Sequence, residues 1–207
     1  MEAAYASSAE ETALEAVTDR ELRIPFYCEE NVWRLAWRKR TQQPHDRFWV
    51  VFISNSIKNV PMFQQRASAN GGDLSVCWDY HVILLCQHAG DGQVGVYDMD
   101  SLLPYPCPLD EYLTHSFPYQ WPFPFGPMFR VVLVDAFLSH FASDRAHMIK
   151  NDGQWQAPPP SYPPIGAERP SNLKVYLRFD GGAQDDVFGK VLSKEALAGT
   201  DFTTFLL

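Results

Sequence analysis

An α+β fold, with an antiparallel sheet packed against helices and a cysteine at the N-terminus of the first of them, is what this 207-residue sequence predicts. Three observations carry that reading. Two apolar runs, 77–85 and 94–100, flank the polar, glycine-rich stretch 88–93, the pattern of a β-hairpin. A helical pattern begins after Tyr27, where Val32, Leu35 and Ala36 share one face with Trp33 and Trp37 beside it. Residues 46–55 are β-branched and aromatic, as a buried strand requires.

Composition narrows the class. With 46% hydrophobic and 20% charged residues the chain suits one globular domain, expected over 23–207, after a flexible Ala/Ser/Glu-rich lead-in over 1–22. The net charge of −8 and pI near 5.2 make nucleic acid a poor partner. The only basic cluster, Arg38-Lys39-Arg40, reads as the cationic last turn of the helix. The apolar runs are too short to span a bilayer. The acidic N-terminus lacks the apolar core of a secretory signal, so a cytosolic or nuclear setting with reduced cysteines is expected. No cofactor is expected. Cys77-x3-His81 and Cys86-x-His88 come nearest to metal spacing, but neither has a second matching half, which speaks against zinc.

In chain order, Pro25 disfavours helix before it, and Glu29 and Glu30 in the first turn suit the macrodipole. Pro61 marks 59–65 as an edge strand or irregular segment. A short helix is expected over 109–117 and a strand over 129–134. Asp135 reads as the N-cap of a helix through Phe141, with Phe137, Leu138 and Phe141 inward. Residues 118–127 alternate proline with Trp121, Phe123 and Phe125. They read as a rigid loop covering the core, or alternatively as a wall contacting peptide. Residues 155–170 hold six prolines and read as a surface crossover. A strand over 172–179, an acidic loop over 181–186 and a terminal helix over 193–207, capped by Ser193, complete the prediction.

A hairpin loop of about four residues centred on Ala89-Gly90 sets the register in which His81 faces Asp98, Ile83 faces Val96 and Leu85 faces Val94. These six side chains then share one face, apolar except for one His and one Asp close enough to bond. Such a pair is either a satisfied core interaction or a general base with its orienting acid. Cys28 favours the second reading, because free N–H groups and the positive dipole end at a helix N-terminus favour thiolate. The other three cysteines, Cys77, Cys86 and Cys107, lie in apolar or proline-flanked stretches. A helix bearing Cys28 against strands bearing His81 and Asp98 is an arrangement for thiol acyl transfer.

The residues Tyr27-Cys28-Glu29-Glu30-Asn31-Val32-Trp33, Val51-Phe52-Ile53-Ser54-Asn55 and, most specifically, Trp78-Asp79-Tyr80-His81-Val82 resemble the protein N-terminal glutamine amidohydrolase family. The resemblance continues through Tyr97-Asp98-Met99-Asp100, Phe141-Ala142-Ser143-Asp144-Arg145 and His147-Met148, and covers 26–164. It implies a fold similar to papain-like and transglutaminase-like thiol hydrolases. It also implies a Cys28-His81-Asp98 triad, and deamidation of N-terminal glutamine through a γ-glutamyl thioester, upstream of arginylation in the N-degron route. It implies a monomer acting on proteins or peptides that begin with glutamine. Selection of a free α-ammonium needs a carboxylate near the sulfur, and Asp79, Glu29 and Glu30 are the candidates. A papain-like protease, a transglutaminase-type acyl transferase and a non-enzymatic proline-rich binding module are the competing readings.

Overall fold

The computed structural model describes residues 17–179 and 187–205. In chain order, helix α1 (Cys28–Gln42) is followed by strands β1 (Arg47–Ser54), β2 (Val60–Met62), β3 (Val76–Trp78), β4 (His81–Gln87), β5 (Val94–Tyr97) and β6 (Cys107–Pro108). Helix α2 (Leu109–Ser116), strand β7 (Met128–Leu133), helices α3 (Val134–His140) and α4 (Leu173–Tyr176), strand β8 (Lys190–Ser193) and helix α5 (Lys194–Ala198) complete it. Six strands form one antiparallel sheet in the order β6-β5-β4-β1-β7-β8, while β2 and β3 pair separately. This is the expected α+β architecture.

The central strand explains the layering. Every residue of β1 after Arg47 is buried. Because side chains alternate along a strand, Phe48, Val50 and Phe52 enter one core with residues of α1, α3 and α4. Trp49, Val51 and Ile53 enter a second core with residues of α2 and α5. Each such aliphatic or aromatic side chain contributes roughly 1.5–3 kcal/mol when fully buried. A strand covered on both faces must be a continuous apolar run, as β1 is. The α1 face is the predicted one, with Val32, Leu35 and Ala36 buried beside Trp33 and Trp37.

Several expectations are corrected. Gln87 pairs with Val94 and Leu85 with Val96, so the β4–β5 loop holds six residues rather than four and the register moves by two. Two backbone bonds, from His88 N to Gln93 O and from Gly92 N to His88 O, close the wider loop, with Gly92 in the left-handed region at φ +71°. A slip of two conserves facing, so His81 and Asp98 keep a common side but lie diagonally. Asp135 does not cap α3. The helix starts one residue earlier, and the Asp135 carboxylate is bound by Arg40 of α1. Within 172–179, Leu173–Tyr176 form the short α4 in place of a strand. Ser193 does cap a helix, accepting from Ala196 N at 3.1 Å, but α5 ends at Ala198 with Gly199 as its C-cap, and β8 precedes it on the sheet edge. The 118–127 loop turns its aromatic rings outward, with Phe123 90% exposed.

Of the lead-in, residues 1–16 lie outside the described residues, as does the acidic loop 181–186. Asp19–Leu22 form a 3-10 turn with Leu22 wholly buried and Asp19 bridged to Lys39 at 2.7 Å. The proline-rich crossover is partly built in. Ala157 is buried and its carbonyl accepts from the Tyr27 hydroxyl at 3.1 Å.

Candidate active site

The site lies at the start of β4, where the two layers meet at the end of the sheet. Cys28, the first residue of α1, packs against the α1-side core. His81 has the parity of Ile83 and Leu85, which enter the α2-side core. Both line one cavity of about 110 Å³, with Phe26, Trp78, Asp79, Tyr80, Asp100, His147, Met148 and Gln156. Small-molecule pockets usually hold some 300–1,000 Å³. This one therefore suits a single side chain and its backbone amine better than a chain running through.

His81 is 2% exposed, and its Nε2 lies 2.9 Å from Asp98 Oδ1. That contact uses the nitrogen farther from the ring's own backbone attachment and leaves Nδ1 for the cavity. The Trp78 indole stacks on the imidazole at 6.1 Å between centroids. Asp98 lies just past the end of β5 and is itself 4% exposed. Its Oδ1 also accepts the Asp100 amide at 2.9 Å. Its Oδ2 accepts the Tyr112 hydroxyl at 2.8 Å and Gln65 Nε2 at 3.4 Å. Burial opposes the Asp98 charge, but the His81 imidazole and these donors outweigh it and hold the carboxyl below its ordinary range. Burial likewise opposes charge on His81, and Asp98 outweighs it, raising the imidazole above its ordinary range.

Cys28 behaves otherwise than the helix end by itself predicts. Burial, with the carboxylates of Glu29, Asp100 and Asp79, pushes the thiol well above its ordinary value, against the opposing influence of the Val82 amide. The dipole of one helix end, worth about 0.3–1 kcal/mol, is outmatched by burial and three nearby negative charges. The resting sulfur is a thiol, and its ionisation depends on a base that accepts the proton.

The three carboxylate candidates fall into different settings. Asp79 is exposed and lines the cavity. It lies in the bend between β3 and β4 rather than on a continuous strand, its Oδ1 accepting the Tyr80 amide at 2.9 Å. Glu29 is wholly buried, with Oε2 3.0 Å from the Tyr80 hydroxyl and 3.7 Å from Cys28 Sγ, and Oε1 3.4 Å from His147 Nε2. His147 also meets the Tyr80 hydroxyl at 3.1 Å. Burial disfavours its charge, but Glu29 outweighs this and raises the imidazole above its ordinary range. Glu30 is engaged elsewhere, in a two-pronged pair with Arg145 at 2.8 and 2.7 Å. Arg145 is anchored further by the Pro160 and Tyr162 carbonyls.

Tyr112 and Gln65 behind Asp98, and Arg23, whose Nε donates to Asp100 at 2.7 Å, are absent from the residues that sequence pattern marks. They carry no local pattern, and only the fold brings α2, the 63–66 turn and the chain before α1 to one end of the sheet. Phe26 sits at φ +69°, a left-handed conformation costing a non-glycine residue about 1–2 kcal/mol. It turns its ring edge-on to Trp78 at 6.4 Å, at the rim of the cavity.

Known proteins resemble the chain over most of its length. A model of the N-terminal glutamine amidase family matches residues 23–200. The chain is 42% identical to the protein N-terminal glutamine amidohydrolase of Bos taurus over 159 residues, covering 74% of this chain and 75% of the relative. It is 41% identical to that of Homo sapiens over 159 residues (74% and 76%), and 40% identical to that of Arabidopsis thaliana over 166 residues (76% and 75%). A match spanning the site and both faces of the sheet places the chain in the N-terminal glutamine amidase family.

Proposed function

We propose that this protein is a hydrolase that converts an N-terminal glutamine of a protein or peptide to glutamate, releasing ammonia, with Cys28, His81 and Asp98 as its triad. The observation that carries the reading is the shared cavity. The Cys28 sulfur and the His81 imidazole open into it, and the Asp98 carboxylate, satisfied on both oxygens, holds the imidazole from behind.

The chemistry proceeds in two halves. His81 takes the Cys28 proton as sulfur attacks the side-chain carboxamide carbon, which answers the raised thiol pKa. The first N–H groups of α1 have no acceptor within the helix, and the Cys28 amide is a donor for the oxyanion. His81 then protonates the leaving nitrogen, the C–N bond breaks, and ammonia departs from a γ-glutamyl thioester. In the second half His81 takes a proton from water, hydroxide adds to the thioester carbon, and the C–S bond breaks to give glutamate. The thiolate recovers its proton from His81. Asp98 holds one tautomer and stabilises each imidazolium.

Selection for a free α-amine rests on carboxylates a few ångströms from the sulfur. Asp79 at the mouth and Glu29 beneath it are the readers we infer. Glu30 is neutralised by Arg145. If Asp79→Asn and Glu29→Gln both retained full preference for unblocked peptides, that assignment would be lost. We further infer a monomer acting in the cytosol or nucleus, upstream of arginylation, where a thiol nucleophile stays reduced.

The test is ammonia release from a Gln-initiated peptide, from its N-acetylated twin and from a peptide with internal glutamine, using wild type and Cys28→Ala. Release from the free-amine peptide alone, abolished in the variant, is the expected result. Release from all three peptides would keep the thiol chemistry but remove the N-terminal selectivity. Release unaffected by Cys28→Ala would remove the nucleophile. Peptide-bond cleavage without ammonia would favour a protease, and incorporation of added amines an acyl transferase.

A further inference from the structure

A second cluster of ligating side chains lies at the far end of β4, about 17 Å along the strand from His81 at roughly 3.3 Å per residue. Cys86-x-His88 has no matching half in the sequence around it. The fold supplies one from forty residues upstream. The β1–β4 ladder pairs Arg47 with Gln87, so Asp46 arrives beside His88. Cys86 and His88, two apart, point to the same side.

Cys86 Sγ is 3.7 Å from Asp46 Oδ2 and 3.8 Å from His88 Nδ1, and that nitrogen is 3.1 Å from the same oxygen. A tetrahedral zinc with Zn–S of about 2.3 Å, Zn–N of about 2.05 Å and Zn–O of about 2.0 Å has edges near 3.5 Å to sulfur and 3.3 Å between N and O. Each observed edge is within about 0.3 Å of that figure. The remaining features fit an ion. The Ala89 amide donates to Asp46 Oδ1 at 2.9 Å, fixing the carboxylate from outside and leaving Oδ2 within the cluster. Backbone bonds at both His88 N and His88 O hold the residue that carries the ring. The His88 side chain is 37% exposed and that of Asp46 16%, which opens a path for an ion and for a fourth ligand. One thiolate and one carboxylate balance a divalent charge. The nearby cation, Lys39, is already bridged to Asp19 at 2.7 Å.

We propose that Asp46, Cys86 and His88 form a three-ligand zinc(II) site, completed by water, that clamps the β4–β5 loop to the start of β1. Binding replaces the thiol proton by the metal and releases it to solvent. The soft thiolate and the imidazole favour zinc over the hard cations calcium and magnesium.

The probe is cobalt(II), which reports thiolate ligation through a near-ultraviolet sulfur-to-cobalt charge-transfer band. Titration uses the full chain without a polyhistidine tag and carrying Cys28→Ala, so that the active-site thiol cannot contribute. Saturation at one cobalt per chain is expected, with the band lost in Cys86→Ser and displaced by added zinc. His88→Gln, on a half-exposed turn where folding is not at stake, should weaken binding by at least the 10–100-fold that losing a group that merely orients a ligand costs. Zinc should raise the melting temperature of the parent and leave that of His88→Gln unchanged. No charge-transfer band at millimolar cobalt, or a band that survives Cys86→Ser, would overturn the proposal. So would equal affinity in His88→Gln. The trio would then be only a hydrogen-bonded cluster around Asp46 Oδ2.

Discussion

Tyr112→Phe removes one oxygen from the molecule, and the structure says what that oxygen does. The Tyr112 ring is fully buried, with an edge contact to Phe117 at 6.4 Å between centroids, and phenylalanine keeps both. What disappears is the donor 2.8 Å from Asp98 Oδ2. Gln65, at 3.4 Å, is too far to replace it. A hydrogen bond to a charged group contributes about 1.5–3 kcal/mol. In a domain of this size each kcal/mol moves the melting temperature by about 2–4 °C, so a fall of about 3–12 °C is expected. The kinetic consequence has a definite sign. With one donor fewer, the Asp98 carboxylate is more basic and pulls harder on the His81 proton. The acid limb of the kcat/KM profile, where His81 must shed that proton to act as base, therefore moves to higher pH. Thermal melting and the pH profile of ammonia release from a Gln-initiated peptide measure the two effects, with exposed Tyr119→Phe as baseline. A melting temperature within about 1 °C of the baseline, or an acid limb that moves down, refutes the reasoning that Tyr112 supports the anionic Asp98.

Wild-type kcat/KM should be bell-shaped. Its acid limb lies above the ordinary histidine value of about 6.5, because Asp98 raises His81. Its alkaline limb lies near the 7.7–8.0 of a free α-amine, since the substrate must stay an ammonium. An acetylated peptide that is turned over with the same alkaline limb would contradict that assignment. Stability should show the same pair. The raised pKa of His81 contributes stability below about 6.5, lost as pH rises through the folded value. The lowered pKa of Asp98 contributes above about 3.9, lost as pH falls through its folded value. The melting temperatures of wild type and Asp98→Asn should thus differ most between pH about 4 and 6.5. Arg145→Ala strands Glu30, 0% exposed, without its counter-charge, and should cost about 3–5 kcal/mol. At about 2–4 °C per kcal/mol, melting should fall by about 6–20 °C. Gly189→Ala should loosen β8 from β7, because Gly189 is at φ +71° and a Cβ there runs into the Val131 carbonyl. Amide exchange over 190–193 should rise while that of β4 does not.

Local pattern was enough for the parts whose cause is local. The helix after Tyr27, the strand at 47–54 and the Ser193 cap were legible because apolar period, turn residues and side-chain capping act within a few residues. The common face of His81 and Asp98 was legible for a subtler reason, since a strand's period of two survives a slip of two. What the sequence could not decide lies where distant segments set the energy. The loop length turned on backbone bonds closing 88–93. Strand 190–193, ahead of the helix expected from Ser193, forms because the edge of β7 is open to it. Above all, the charge state of Cys28 is decided by the tertiary structure. A helix N-terminus favours thiolate, but burial and the carboxylates of Glu29, Asp79 and Asp100 outweigh one dipole end. The same holds for the company the carboxylates keep. Glu29 and Glu30 are neighbours in sequence, yet a helix turns successive side chains about 100° apart. One therefore lies beneath the sulfur, while Arg145, 115 residues away, neutralises the other.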